Sequence, residues 1–451
     1  MDRPTESPPV LEPLVRELAE SDRLRAFAEA LPARARVSDS ALPLLLAALH
    51  QLLGRPLLVL LPEDADARDA AEAAGWFLGE ERVALLPSRG VRWDSGLEPP
   101  PHLVGERARA LDVLAAGGLV CASASALAEG MPPADVRPEP IRLAAGDEPG
   151  TEGLAANLAL AGYERVEQVD ERGQFAVRGG IVDVFPTTGR EPFRIELFGD
   201  EIEGIRAFSP FTQRTLHPVE GAVVYPAAER RRDLLEPTLN DEDDPPTPPD
   251  DLVPPVSGGP DLVWQPDEVR AVWREELVEE LPLDGAAELD PLPAGQPFSF
   301  EAQRPAIAAR GLAEAENELR GFVRAGLRIV VAFPHRGEAL RTQNLLRRAE
   351  ARLLEPGEEL PDEAEVLFAV SPARRGFVWR DLGIALLPDT QVFRKRVSRR
   401  TAPVGRALQS FAELRTGDYV VHEDHGVGNL LGFETREVAG VTRDYLFLAF
   451  R

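Results

Sequence analysis

Lysine occurs once in the 451 residues, at Lys395; all the others of the 50 basic residues are arginine. A phosphate-binding P-loop needs a lysine directly after a glycine-rich turn, where its ammonium group reaches the β- and γ-phosphates. Lys395 lies instead in Phe393-Arg394-Lys395-Arg396-Val397, with no glycine turn before it. The same census leaves almost no room for a Schiff-base lysine. The single cysteine, Cys121, excludes an internal disulfide and a CxxC metal site. His422 and His425 flank Glu423 and Asp424, but the spacing is not that of HExxH. That stretch reads as a strand entering a glycine turn, where packing accounts for the histidines better than a metal does. Paired acids such as Glu80-Glu81 and Glu275-Glu276 fall on helix surfaces or ends, and no Ser-His-Asp or Cys-His arrangement stands out. No catalytic, cofactor-binding or metal-binding residue is therefore assigned, and the chemistry on offer is recognition.

Charge narrows what could be recognised. The formal net charge is −26. Nucleic-acid affinity comes largely from Lys and Arg displacing counterions, so this chain is expected to bind DNA only weakly and to favour protein partners. The most basic run, Arg394-Lys395-Arg396 with Arg399-Arg400, reads as a solvated linker, the alternative being contact with phosphates or an acidic face. Hydrophobic residues make up 44% and charged residues 28%, a globular balance. No apolar run approaches the roughly 20 residues that cross a bilayer, and the opening Met-Asp-Arg-Pro-Thr-Glu-Ser has no signal-peptide pattern. A cytoplasmic protein, monomeric and without a membrane partner, is expected.

The elements that would hold a recognition surface alternate between two types. In residues 1–133, Leu42 to Leu53 reads as a helix, Leu57 to Leu61 as a buried strand between Pro56 and Pro62, and Ala65 to Leu78 as a helix. Val83 to Leu86 follows as a strand, Leu103 to Ala115 as a helix and Leu119 to Ala122 as a third strand, the pattern of a parallel sheet with crossover helices. Residues 134–213 switch to alternating strands at Gln174 to Arg178, Ile181 to Phe185, Phe193 to Phe198 and Ile202 to Phe208, with one helix at 151–161. The acidic, proline-rich stretch Glu236 to Pro260 is expected to be disordered, and a helix is placed at 266–281. Residues 301–400 return to α/β, with helices at 302–325 and 336–353 and strands at Arg328 to Phe333, 365–369 and 382–387. Residues 408–451 are all-β, with strands Asp418 to His422, Asn429 to Glu434 and Asp444 to Phe450, and turns at His425 to Gly428 and Ala439-Gly440. The third strand reaches the last residue with no closing strand, an open edge that reads as a truncation.

Several stretches carry a family resemblance. Gly162 to Val169, Gly173 to Pro186 and Phe193 to Glu203, continued by Phe208, Ser209, Gln213, Arg214 and Thr215, resemble a module shared by excinuclease B and the bacterial transcription-repair coupling factors. Gly417 to Gly428 with Gly440 to Leu446 resembles the start of the coupling factors' RNA-polymerase-interacting domain, which excinuclease B lacks. Weaker matches lie at Leu86-Pro87 with Trp93, at Arg375-Gly376-Phe377, and at Leu386-Leu387-Pro388-Asp389.

The resemblance implies a multidomain α/β fold: a degenerate P-loop-type α/β domain (1–133 and 214–300) into which a small antiparallel UvrA-binding domain (134–213) is inserted. A second α/β domain (301–400) and a partial CarD/Tudor-like β-barrel (408–451) follow. It further implies two partners, UvrA and the RNA polymerase β subunit, while ATP and magnesium would belong only to motor domains outside this chain. Carried over by motif, the UvrA-binding residues are Arg178, Arg194 and Phe198. Arg178 precedes a double glycine at a strand end, and Arg194 and Phe198 share a strand face. An arginine–aromatic cluster suits an interface hot spot; the plainer reading is surface arginines beside a core phenylalanine. The polymerase contacts are placed at Leu430, Leu431, Phe433 and Val438, with Arg436 departing from an apolar position of the pattern. Two other functions compete. A helicase or nuclease component like excinuclease B would need the P-loop lysine, and a CarD-type polymerase regulator leaves residues 150–215 unexplained.

Overall fold

The computed structural model describes residues 8–234, 249–256, 261–264, 287–290, 297–307, 309, 311–393, 419–422, 426–438 and 441–450. The chain divides into two compact units. One comprises Met1–Ser88, Ala110–Glu129 and Pro254–Arg396; the other comprises Arg89–Arg109, Gly130–Val253 and Val397–Arg451.

The first unit holds two sheets. Seven parallel strands form the larger, in the order Phe298–Phe300, Ala33–Val37, Ala287–Asp290, Asp261–Trp264, Leu57–Leu61, Leu119–Ser123, Val83–Leu86. Leu57–Leu61 is buried along its whole length, as expected for a parallel strand covered on both faces. The helix Leu42–Leu53 starts with a proline in its first turn, where no N–H is missed, and is stopped by Gly54 at φ +61°. At the carboxyl ends of three strands, the Asp64 carboxylate accepts the Ser88 N–H at 3.2 Å and the Ser123 hydroxyl at 2.5 Å, and also the Ser88 hydroxyl. The second sheet has five strands, in the order Ala351–Leu353, Val366–Val370, Arg328–Phe333, Ile384–Pro388, Phe377–Trp379. The first four are parallel and the last antiparallel. Among the described residues no helix is long and apolar enough to cross a membrane.

Four expectations are corrected. The helix expected from 302 begins at Leu312; before it the chain is extended, and Gln303 exchanges both backbone bonds with Val378, at 2.9 and 2.8 Å. The helix expected to run to 353 ends at Leu345, and Ala351–Leu353 is a strand. The buried Glu316 carboxylate ends it by accepting the backbone N–H groups of Arg347, Arg348 and Ala349 at 2.5, 2.6 and 3.4 Å, taking donors that further helical turns would have used. Part of the stretch read as disordered is paired, since Val253 exchanges two 2.8 Å backbone bonds with Met131 and Asp251 meets Arg230. Gly426 to Gly428, read as a turn, lie in a strand, with Gly426 opposite His422. The helix placed at 266–281 lies outside the described residues, as do 235–248 and 257–260 of the acidic stretch.

A buried histidine gives the first unit a pH signature. His50 is enclosed and its Nε2 lies 2.8 Å from the Gly117 carbonyl, so the neutral ring donates there. Burial pulls its pKa below 6.5, the charge of Arg82 adds to that, and the Gly117 bond opposes it. The unfolded chain therefore takes up a proton first as pH falls. Stability present above pH 6.5 should decline on acidification below it, with a slope of at most about 1.4 kcal/mol per pH unit from this group. Urea unfolding across that range should show a flatter slope for His50→Gln, which keeps a donor and cannot titrate. An unchanged slope would exclude His50 as the cause.

Candidate functional site

The strands foreseen between 174 and 208 belong to a six-stranded sheet in the second unit. Its order is Thr215–Val219, Glu201–Phe208, Phe193–Phe198, Ile181–Phe185, Gln174–Arg178, Glu164–Arg165, antiparallel except for the last pair. Side chains alternate across it. Val177, Val182, Ile195 and Ile205 form one row and pack with Leu154 and Leu158 of the helix Thr151–Leu160. Behind them Tyr163 donates its hydroxyl to the Tyr225 carbonyl at 2.7 Å, and burial pushes its pKa up to about 12. Ile141–Ala144 pairs with Gly221–Val224 in a small two-stranded sheet of the same unit.

The opposite face carries the residues singled out above. Arg178, Ile181, Glu196 and Gly204 form one cross-strand row, and Asp183, Arg194 and Arg206 the next. Phe198 stands at the end of that face, opposite Glu201. Two glycine hairpins create this end: Gly179 at φ +62° links Arg178 to Ile181, and Gly199 at φ +65° links Phe198 to Glu201. The Leu197 N–H donates to the Gly180 carbonyl at 2.7 Å and ties the two tips together. Arg178 and Phe198 thus come from different hairpins to one edge. Phe198 is 78% exposed, which removes the plainer reading of it as a core residue. Arg178 is exposed and donates from Nη2 to the Glu167 carbonyl at 2.7 Å.

Arg194 differs from the exposed contact expected of it. Its Nε and Nη2 donate to the two oxygens of Asp183 at 2.7 and 2.8 Å, and its Nη1 to the Gln213 carbonyl at 3.3 Å. The guanidinium lies 4.7 Å from the centre of the Phe208 ring. Its side chain is 16% exposed and that of Asp183 only 2%. The hydrogen bonds to Asp183 hold Arg194 above the usual guanidinium range. Asp183, Phe208 and Gln213 were not read as a unit from the sequence; the signal available was the i-to-i cross-strand register that sets Asp183 opposite Arg194.

Gly180 is a point where the backbone admits no side chain. A Cβ added there would stand 2.6 Å from the Leu197 carbonyl oxygen. Gly180→Ala should push the two hairpin tips apart, destabilise this sheet by about 1–3 kcal/mol and speed exchange of the Leu197 amide. A variant with unchanged melting and unchanged Leu197 protection would contradict the close approach.

The C-terminal strands Tyr419–His422, Gly426–Val438 and Val441–Phe450 form a three-stranded antiparallel sheet. Of the four polymerase candidates, Leu430 is fully buried and so is not placed to touch a partner, whereas Leu431 is 58% exposed. The register shifts between Leu430 and Gly432, so that Leu431 has no cross-strand partner, and this bulge is where the two side chains part. The side chains of Phe433 and Val438 lie outside the described residues, as do the whole of 394–418 and 423–425. Tyr419, not singled out beforehand, is 76% exposed beside Asn429.

Comparison with known proteins matches the two modules separately. The family model for the UvrB interaction domain covers residues 141–229, and that for the CarD-like/TRCF RID domain covers residues 414–451. The chain thus carries a stretch similar to the UvrB interaction domain and a stretch similar to the CarD-like/TRCF RID domain. The transcription-repair-coupling factor of Mycobacterium bovis is 30% identical over 88% of this chain and 40% of its own length. That of Mycobacterium tuberculosis gives the same figures, and that of Bacillus subtilis is 22% identical over 92% of this chain and 43% of its own. The chain is thus similar to the N-terminal portion of the transcription-repair-coupling factors, and spans less than half the length of these relatives.

Proposed function

We propose that this chain is a recruitment platform that binds the excision-repair protein UvrA through the sheet face bearing Arg178 and Phe198, and that its C-terminal sheet binds the β subunit of RNA polymerase. The observation that carries the reading is the 78% exposed Phe198 at the same end and on the same face of the sheet as Arg178, each at a glycine-ordered hairpin tip, inside the stretch matched as the UvrB interaction domain. A large exposed aromatic sharing a sheet face with an arginine is the composition of an interface anchor. The matched CarD-like/TRCF RID stretch, with Tyr419 and Leu431 exposed, supports the second partner, and addition of a partner strand to that sheet's edge is the expected mode.

The seven-stranded parallel sheet we read as a degenerate P-loop-type domain that serves as scaffold. Its turn from Val37 into the helix Leu42–Leu53 is closed internally, with the hydroxyls of Ser38 and Ser40 both donating to the Ala302 carbonyl at 3.0 and 2.7 Å. ATP hydrolysis, with its magnesium, is assigned to the parent protein's motor and not to these residues, and the C-terminal strands to a CarD/Tudor-like barrel. The chain acts as a cytoplasmic monomer.

Calorimetric titration of the purified chain with UvrA and, separately, with RNA polymerase tests the reading; specific binding of each is the expected result. Failure to bind UvrA would remove the recruitment role. Duplex DNA should bind no more tightly than the non-specific range of about 10⁻⁴–10⁻⁶ M at physiological salt. A salt-resistant nanomolar complex with undamaged DNA, or DNA-stimulated ATP hydrolysis, would overturn the scaffold assignment.

A further inference from the structure

The front face of the six-stranded sheet is partly roofed. Val169, Ala176, Phe185 and Phe208 form a small buried cluster on that side, separate from the main core of the sheet. Next to it, touching Val169 through Gln213, lies the loop Ser209 to Arg214, which is held by its own hydrogen bonds. The Ser209 N–H donates to the Arg214 carbonyl at 2.9 Å, the Gln213 N–H to the Ser209 carbonyl at 2.8 Å, the Thr212 N–H to the Ser209 hydroxyl at 3.1 Å, and Gln213 Nε2 to the Pro210 carbonyl at 2.8 Å. Gln213 has φ +59° and is the single non-glycine residue with a positive φ among the described residues. A left-handed L-residue costs roughly 1–2 kcal/mol, and such strain persists where surrounding contacts over-determine it.

We infer that Arg194 is the positioning residue that over-determines it: pinned on Asp183 and stacked on Phe208, it fixes Gln213 and through it the loop Ser209 to Arg214, and this clamped loop is part of the docking surface. The inference rests on the reading of this face as a UvrA-docking surface and reassigns one of its arginines. A hot-spot arginine offers its two-pronged fork to the partner. The fork of Arg194 is already spent on Asp183, and its remaining bond goes to the Gln213 carbonyl. The clamp also reaches Arg178. Gln213 Nε2 stands 3.5 Å from the Val169 carbonyl, and two residues earlier the Glu167 carbonyl receives the guanidinium of Arg178. Arg194, Gln213, the segment 167–169 and Arg178 thus form a continuous chain of contacts across the face. Its effect on binding is one of population: when the loop is released, only the fraction of molecules with the face assembled can bind, and apparent affinity falls by that fraction.

Asp183→Asn tests this, because Asp183 is 2% exposed and cannot touch a partner. Hydrogen exchange on the free chain should show faster exchange of the amides of residues 209–214 in Asp183→Asn and in Arg194→Lys, with the amides of Ile195 and Ile205 still protected. UvrA affinity of both variants should fall about tenfold if the assembled fraction drops to a tenth. Lysine keeps the charge but not the fork, so rescue by Arg194→Lys would overturn the inference in favour of a direct charge contact. So would wild-type affinity in Asp183→Asn combined with weak binding by Arg194→Ala. Should the unmodified chain not bind UvrA, the docking reading falls, while unchanged exchange of 209–214 in both variants would separately show that there is no clamp. Arg194→Lys supplies the exchange measurement if Asp183→Asn does not fold.

Discussion

Arg194→Ala is expected to destabilise the six-stranded sheet by about 3 kcal/mol, the low end of what removing one partner of a buried ion pair costs. The reason lies less in the arginine than in what it leaves behind. Asp183 is almost fully enclosed and its two oxygens are both taken by Arg194. Alanine at 194 would strand a buried carboxylate, opposite Ala176, without the two hydrogen bonds that meet it, and the Gln213 carbonyl would lose its charged donor. Replacing the pair together, as Asp183→Leu with Arg194→Met, removes the stranded charge and should recover most of the loss, since a buried pair is rarely more stable than apolar residues of similar volume. Chemical unfolding of the wild type, Asp183→Leu, Arg194→Met and the paired variant forms a double-variant cycle. A strongly non-additive cycle is the expected outcome; additive losses would mean that the two side chains do not act as a pair. Arg178→Ala, exposed and holding a single backbone bond, is the control and should leave the unfolding midpoint unchanged.

Binding should respond in the opposite pattern. Phe198→Ala combined with Arg178→Ala should weaken the UvrA complex at least thirtyfold, about 2 kcal/mol, while leaving the fold intact. Phe198 contributes little to the core, so its removal takes nothing from the folded state, yet it is the largest apolar group that this edge can insert into a partner. Calorimetry measures the loss and a melting curve confirms that the variant is folded. Wild-type affinity in the folded double variant would remove these residues from the docking surface. The contrast with Arg194 is itself diagnostic: one substitution should cost stability first and binding through it, the other binding alone.

Much of this was present in residue order. The strands from Gln174 to Phe208 are readable because Phe193 to Phe198 alternates apolar and polar residues and because Gly179-Gly180 and Gly199 mark the turns after Arg178 and Phe198, and these are local properties of the chain. The absence of a P-loop lysine needs no coordinates at all. The face shared by Arg194 and Phe198 follows from their four-residue spacing alone. Other features depend on residues far apart in sequence. Ala33–Val37 reads as Ala-Arg-Ala-Arg-Val, a polar surface run, yet it lies inside the parallel sheet between strands that begin at Ala287 and Phe298. Whether a short run becomes a central strand is settled by the neighbours that satisfy its backbone, and those neighbours lie more than 200 residues away. The helix end at Leu345 likewise depends on the carboxylate of Glu316, not on any breaker nearby. The fate of Arg194 is the clearest case. Its identity and strand position were legible, but a guanidinium can face a partner or a buried acid with equal ease, and only the cross-strand register that puts Asp183 directly opposite commits it to the acid. Periodicity in a chain assigns each side chain to a face, whereas pairing between distant strands selects its partner, and for a charged group the partner determines the role.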